Sequence, residues 1–263
     1  MNLIPPSPQE AIRFNDLTAG YGRHAAIHHL EGGIIRGALL AVVGPNGSGK
    51  STLIKTMAGL LKPSGGACRI TPGLKIAYLP QQSELDRSFP ARVKDLVALG
   101  LWQKRGLLGR HRIEDRHAVK QALQAVGLEG FDKRPIDSLS GGQLQRALFA
   151  RVLVQDADLI LLDEPFNAID ETTVHDLIDL IHQWHTEGRT IIVVAHDLDL
   201  VCAEFPQALL LARRIIAWGN TVEIITPENL RRARQFQEAW NGDTGWSGST
   251  DETAASHTAT KAA

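Results

Sequence analysis

Apolar residues fall along this chain in two rhythms. In Leu39-Leu40-Ala41-Val42-Val43, Leu159-Ile160-Leu161-Leu162 and Ile191-Ile192-Val193-Val194 they are consecutive. A strand with no polar side is one buried on both faces, which predicts a mostly parallel sheet covered by helices. Around Leu53, Met57 and Leu60, along Leu144, Ala147 and Leu148, and through Val174, Leu177, Ile178 and Ile181, they recur every three or four residues, the spacing of one helix face. From Ile12 to Ile35 the pattern predicts short antiparallel strands joined by turns at Ala19-Gly20-Tyr21-Gly22 and Glu31-Gly32-Gly33. Lys62-Pro63-Ser64-Gly65-Gly66 interrupts the pattern, and Lys75 to Pro80 reads as a strand ending at proline. Between Ser83 and Pro135 strand-like alternation gives way to helical spacing at Val93–Leu101 and Glu114–Val126, a helical subdomain set into an α/β core. Ala208–Leu211 and Ile215–Ala217 read as a closing hairpin around Arg213-Arg214. The Pro-rich residues 1–10 and the small, polar residues from about Asn241 onward are expected to be loose.

The first apolar run leads directly into Gly44-Pro45-Asn46-Gly47-Ser48-Gly49-Lys50-Ser51, followed by Thr52 and a helical stretch. Strand, glycine-rich loop and helix in that order suit a polyphosphate. Glycine lets backbone approach an anion closely, and a helix N-terminus presents N–H groups to it. Lys50 adds a full positive charge for the outer phosphates, and the Ser51 hydroxyl is a ligand for Mg²⁺.

The second buried run ends in Asp163 and Glu164, and the third ends at His196. Parallel strands bind ligands at their carboxyl ends. There Asp163 suits Mg²⁺, Glu164 suits the general base that activates water, and His196 suits a hydrogen bond to the terminal phosphate or that water. Ser140-Gly141-Gly142-Gln143 is a capping box that opens a helix, and its two glycines leave that N-terminus open to an anion. Tyr21 is placed to stack on a base.

Composition narrows the function. The 263 residues carry a net charge of -1, so no basic footprint marks nucleic acid as a partner. Cys68 and Cys202 lack paired spacing, which predicts a reducing compartment and no cysteine-based zinc site. Met1 to Pro6 shows no secretion signal, and no apolar run is long enough to span a bilayer. The basic cluster Lys104-Arg105, Arg110-His111-Arg112 reads as a solvated loop, with a phospholipid head-group contact as its alternative. His28-His29 and the pair His182 and His185 have no nearby carboxylate or cysteine completing a site, and they read as surface histidines rather than metal ligands.

These motifs, in this order, resemble the ATP-binding subunit of an ABC transporter over roughly Ile12 to Ile225. The resemblance implies a P-loop NTPase core with an N-terminal antiparallel β subdomain and an inserted helical subdomain at about 83–155, the whole spanning 11–240. Tyr21 matches the A-loop aromatic, Gly44 to Thr52 Walker A, and Gln81 the Q-loop, which adds a Mg²⁺ and catalytic contact. Leu139-Ser140-Gly141-Gly142-Gln143 matches the signature, Leu159 to Glu164 Walker B, Asn167-Ala168-Ile169-Asp170 the D-loop, and His196 the H-switch. Asn167 departs from the serine usual there. The family implies a head-to-tail homodimer that closes on MgATP, with Glu164, His196, Gln81 and Asp170 as its catalytic residues. It also implies a separate membrane permease, an extracytoplasmic binding protein, and a peripheral place on the cytoplasmic face of the inner membrane. The stretch from Ile76 to Asp86, with Phe89-Pro90 and Val93 to Gly100, is similar to the Q-loop region of ATPases serving zinc and manganese importers, which favours zinc, then manganese. The alternatives are an iron-chelate importer ATPase, a soluble ABC ATPase and, without the signature or His196, a P-loop kinase or GTPase.

Overall fold

The computed structural model describes residues 6–22, 24–84, 87, 89–102 and 112–243, side chains included as far as residue 239. Two sheets share the work. In the first, β1 (Glu10–Tyr21) lies between β2 (His24–Ile35) and β4 (Gly65–Ile70), antiparallel to both. The second has the order β5 (Ile76–Leu79), β6 (Leu159–Asp163), β7 (Thr190–Val194), β3 (Leu39–Val43), β8 (Gln207–Ala212), β9 (Arg214–Asn220). Every pairing in it is parallel except the β8–β9 hairpin.

The consecutive apolar runs divide cleanly between two cores. From β3, Leu39, Ala41 and Val43 pack on one side, with Ile160, Leu162, Ile191 and Val193 from its neighbours. Leu40 and Val42 pack on the other, with Leu159, Leu161, Ile192 and Val194. Because side chains alternate along a strand, only an unbroken apolar run can feed both faces. One core is closed by the antiparallel sheet and α1 (Lys50–Met57). The other is closed by the helical insert, comprising α2 (Val93–Ala98), α3 (Ile113–Ala125) and α4 (Gly141–Gln155), together with α5 (Glu171–Thr186). Phe149 of α4 stacks on Trp184 of α5 with ring centroids 5.8 Å apart, tying the insert to the sheet's helical layer.

Several expectations need correcting. The N-terminal strands are long rather than short, and Glu31-Gly32-Gly33 is no turn: it lies inside β2, with Gly32 opposite Phe14 and Gly33 opposite Arg13. Gly32 has φ 137, and a Cβ there would stand 2.5 Å from the Trp218 ring, so glycine serves close approach rather than chain reversal. Ala19, Gly20 and Tyr21 likewise belong to β1, and the turn begins at Gly22. Gly65-Gly66 opens β4 instead of a loop. Glu10, in the segment expected to be loose, is buried in β1 and accepts a hydrogen bond from the Ser7 amide. Three helices carry no clear sequence signal: α6 (Leu198–Glu204), α7 (Thr221–Ile224) and α8 (Pro227–Asp243). The last of these covers the start of the expected loose tail; the rest of that tail lies outside the described residues, as do Leu85, Asp86, Lys104, Arg105, Arg110 and His111.

Candidate nucleotide site

The parallel register brings three strand ends to one edge. Val42 is level with Val194, and Val194 with Asp163, so the chain leaves β3, β6 and β7 side by side. Gly44, Glu164 and His196 therefore meet without any long-range design in the sequence between them.

The loop after β3 wraps tightly. Gly44 has φ 154, and a Cβ there would collide with the Leu211 carbonyl at 2.0 Å; Gly49 has φ 97 and would collide with Ile27 at 2.4 Å. Lys50 is only 5% exposed, and its Nζ donates to the Gly44 and Pro45 carbonyls at 2.9 and 3.0 Å. Burial lowers its pKa, while the carboxylates of Glu164 and Asp163 act the other way. Asn46 and Gly47 stand exposed at the loop's tip, whereas Ser48 and Thr52 are buried. Helix α1 starts at Gly49 with no side-chain cap, so its first N–H groups have no competitor from a cap.

Ser51 Oγ donates to Asp163 Oδ1 at 3.3 Å. Asp163 is fully buried and its Oδ2 has no hydrogen-bond partner among the described residues. Burial, and then the adjacent Glu164 charge, push its pKa up to about 6. An unpaired carboxylate oxygen is costly to bury unless something cationic meets it. Together with the Ser51 hydroxyl it forms a hard oxygen pair that fits Mg²⁺.

Glu164 sits at φ 50, a left-handed conformation unusual outside glycine, of the kind that gathers at functional sites. Gln81 Nε2 donates to its Oε2 at 2.8 Å, Asn167 Nδ2 reaches the same oxygen at 3.4 Å, and His196 Nε2 lies 2.5 Å from Oε1. With Nε2 on a carboxylate, that nitrogen carries the hydrogen. A cavity of about 190 Å³ opens beside this cluster, lined by Glu164, Phe166, Asn167, Ala195, His196 and Leu200.

Of the remaining expected residues, Ser140 and Gln143 form the capping box: the Gln143 amide donates to Ser140 Oγ at 3.2 Å and the Ser140 amide to Gln143 Oε1 at 3.1 Å. Asp170 does not reach Glu164. It caps α5, accepting from the Thr173 amide and hydroxyl at 2.9 Å each, and these bonds hold its carboxyl below the usual range. Its other neighbour is Gly142, where a Cβ would stand 3.1 Å from Asp170 Oδ2. Tyr21 ends β1 with 55% exposure, and no hydrogen bond among the described residues joins Ser140–Gln143 to Gly44–Ser51.

Two contributions escape sequence reasoning. Asn167 joins Gln81 on Glu164, and Gln82 Nε2 donates to the Gly141 carbonyl at 2.9 Å and to Gln145 at 3.1 Å, lacing the segment after β5 to the start of α4. The doubled Gln81-Gln82 was the available signal. The fold also gives His29 and His182 carboxylate neighbours that sequence proximity hid, Asp16 at 2.6 Å and Glu204 at 3.3 Å. Among the described residues no three such side chains converge as ligands.

Comparison with known proteins agrees with this geometry. The ABC transporter family model matches residues 27–167. A zinc transport system ATP-binding protein of Treponema pallidum is 38% identical over 85% of this chain and 86% of its own length. A manganese transport system ATP-binding protein of Listeria monocytogenes is 40% identical over 84% of this chain and 95% of its own. Among solved structures, an ABC transporter in an inward-facing conformation superposes with a TM-score of 0.77 at 30% identity, over 86% of this chain and 89% of that one. A nucleotide-free ATP-binding cassette, at 20% identity over 86% and 98% of the two chains and a TM-score of 0.72, shares the fold. A glycine cradle with its lysine, an acid pair and a histidine on one sheet rim, and a family match across them make this chain a member of the ABC transporter family, of its ATP-hydrolysing subunits.

Proposed function

We propose that this chain drives import of a divalent transition metal, binding MgATP between two copies of itself and passing the resulting closure to a separate membrane permease. The observation that carries the reading is Glu164, whose carboxylate is held by Gln81, Asn167 and His196 next to the Ser51–Asp163 pair. A carboxylate fixed at that rim is poised to accept a proton from water attacking the terminal phosphate. Lys50 and the N-terminus of α1 stabilise phosphate charge, and His196 holds the base or the phosphate in register. Ser51, Asp163 and Gln81 would hold Mg²⁺, which would supply charge neutralisation at the phosphate oxygens. Ser140 to Gln143 of the second copy close over the same phosphates, Tyr21 covers the base, and Asp170 orders the start of α5 against Gly142 of its own copy.

The permease meets the helical insert. An apolar groove of about 330 Å³ there, lined by Phe89, Ala91, Leu96, Leu99, Ile136 and Leu144, suits a short helix from a membrane subunit. That subunit places this chain on the cytoplasmic face of the membrane, with an extracytoplasmic binding protein delivering cargo. Relatives named for zinc and for manganese are equally similar, at 38% and 40% identity, so identity does not rank the two ions. The Q-loop segment keeps zinc as the first ion to test.

Glu164→Gln should lower steady ATP hydrolysis by about 10²- to 10⁴-fold, the usual contribution of a general base, while ATP-bound dimer persists on a sizing column. Turnover at the wild-type rate would remove Glu164 from this role. Growth of a deletion strain under zinc or manganese limitation decides the ion.

A further inference from the structure

We infer that Gln237, on the C-terminal helix α8, is a positioning residue for the phosphate-binding loop, an inference that rests on the nucleotide reading above. A loop that turns its N–H groups toward phosphate must turn its carbonyls away, because the two groups of a peptide plane point in opposite directions. Each outward carbonyl then needs a donor. Four carbonyls of Gly44–Ser48 have one: Lys50 serves Gly44 and Pro45, the Arg213 amide from the β8–β9 turn serves Ser48 at 2.8 Å, and Gln237 Nε2 serves Gly47 at 3.4 Å. Gly47 sits at φ 75, where the backbone has most freedom, and a Cβ on it would stand 3.5 Å from that same Nε2. Gln237 therefore holds one end of the Gly47–Ser48 peptide plane at the loop's exposed tip, whose other end, the Ser48 N–H, donates to the Pro45 carbonyl at 3.2 Å.

The side chain is placed for this rather than for its own comfort. Gln237 is 7% exposed, and its Oε1 is buried without a partner. A helix position packed beside Ala233, itself 1% exposed, would be more stably filled by an apolar residue of the same length. The amide sits there at a cost in stability, and the one side-chain bond it makes among the described residues is to the phosphate loop.

Gln237→Met keeps length and helix propensity, removes the donor, and removes the unpartnered oxygen. The expected result is ATP and ADP affinity weakened about three- to tenfold, as for loss of one hydrogen bond, with KM for ATP raised, kcat little changed, and the melting temperature equal to or above wild type. Gln237→Glu, which sets an acceptor against the Gly47 carbonyl, should weaken affinity further, and Gln237→Lys, which restores a donor, should recover part of it. Wild-type affinity in the Met variant overturns the inference. So does a joint fall of affinity and melting temperature, the mark of a packing role alone. A wild-type protein that binds no ATP overturns the nucleotide reading itself.

Discussion

Two helix N-termini in this chain face anions in opposite states of readiness. Helix α1 has no side-chain cap, a glycine cradle ahead of it and Lys50 buried within the loop. Helix α4 is capped by its own Ser140 and Gln143, carries no basic residue in the box, and borrows its support from Gln82 and from Gly142's closeness to Thr173 and Asp170. The first gathers cradle, lysine and a metal-suited acid within one chain. The second has room at its N-terminus but neither lysine nor metal-binding acid, so under the proposed function it finishes a site that another subunit begins. The asymmetry is chemical, and it supports the proposed head-to-tail pairing of two copies.

The sharpest way to break the comparison is Lys50→Ala. Without phosphate, the ammonium is shared by the Gly44 and Pro45 carbonyls. Its removal deletes two charge-assisted bonds and leaves the Gly44 carbonyl short of a donor, while Pro45 keeps the Ser48 amide. ATP affinity of a single subunit, measured by titration with a fluorescent analogue, should fall about 10- to 100-fold. An unchanged affinity would mean that α1 is no better equipped than α4.

A smaller effect comes from the acid that the α1 end keeps buried. The pKa of Asp163 is raised in the fold to about 6, so the native state holds its proton more tightly than the unfolded chain does. The associated stability is present at low pH and is lost as pH rises through about 6. Asp163→Asn is free of this loss. Without nucleotide or Mg²⁺, the variant should gain about 1 kcal/mol on the wild type between pH 5 and pH 7.5 in urea titrations, while its Mg²⁺-dependent hydrolysis collapses. Parallel stability curves for the two proteins would show that the carboxylate carries no strain awaiting a cation.

How much of this was legible follows from the kind of signal involved. The parallel sheet and its rim were open to reading because Leu39–Val43, Leu159–Leu162 and Ile191–Val194 must be apolar on both faces, and the residues that end them share one edge by register. The capping box named its helix because its bonds are local in sequence. Glycine misled, since Gly32 and Gly66 sit in strands at close approaches that only Trp218 or β1 can reveal. Helix α8 hid behind a low apolar content, as only one face docks, with Ala233 and Gln237 as its buried residues. Asp170, named by its motif, has a second role that its motif did not show, as the cap of α5 bonded to Thr173.

Ser140→Ala makes the finest cut between the two ends. It removes the acceptor for the Gln143 amide and half of the reciprocal box, leaving the glycines and the helix in place. Losing such a cap costs about 1 kcal/mol of folding stability, a small melting shift for a chain of this size. The effect on nucleotide should depend on how many subunits take part. One subunit, holding ATP at α1 alone, should bind it with wild-type affinity, because no hydrogen bond links Ser140 to the cradle. Pairing driven by ATP, followed by sedimentation in the Glu164→Gln background where hydrolysis cannot undo it, should weaken several-fold, since the frayed α4 terminus now meets the second copy's phosphates. Equal weakening of both steps would place α4 on the same subunit's nucleotide and dissolve the distinction between a complete end and a completing one.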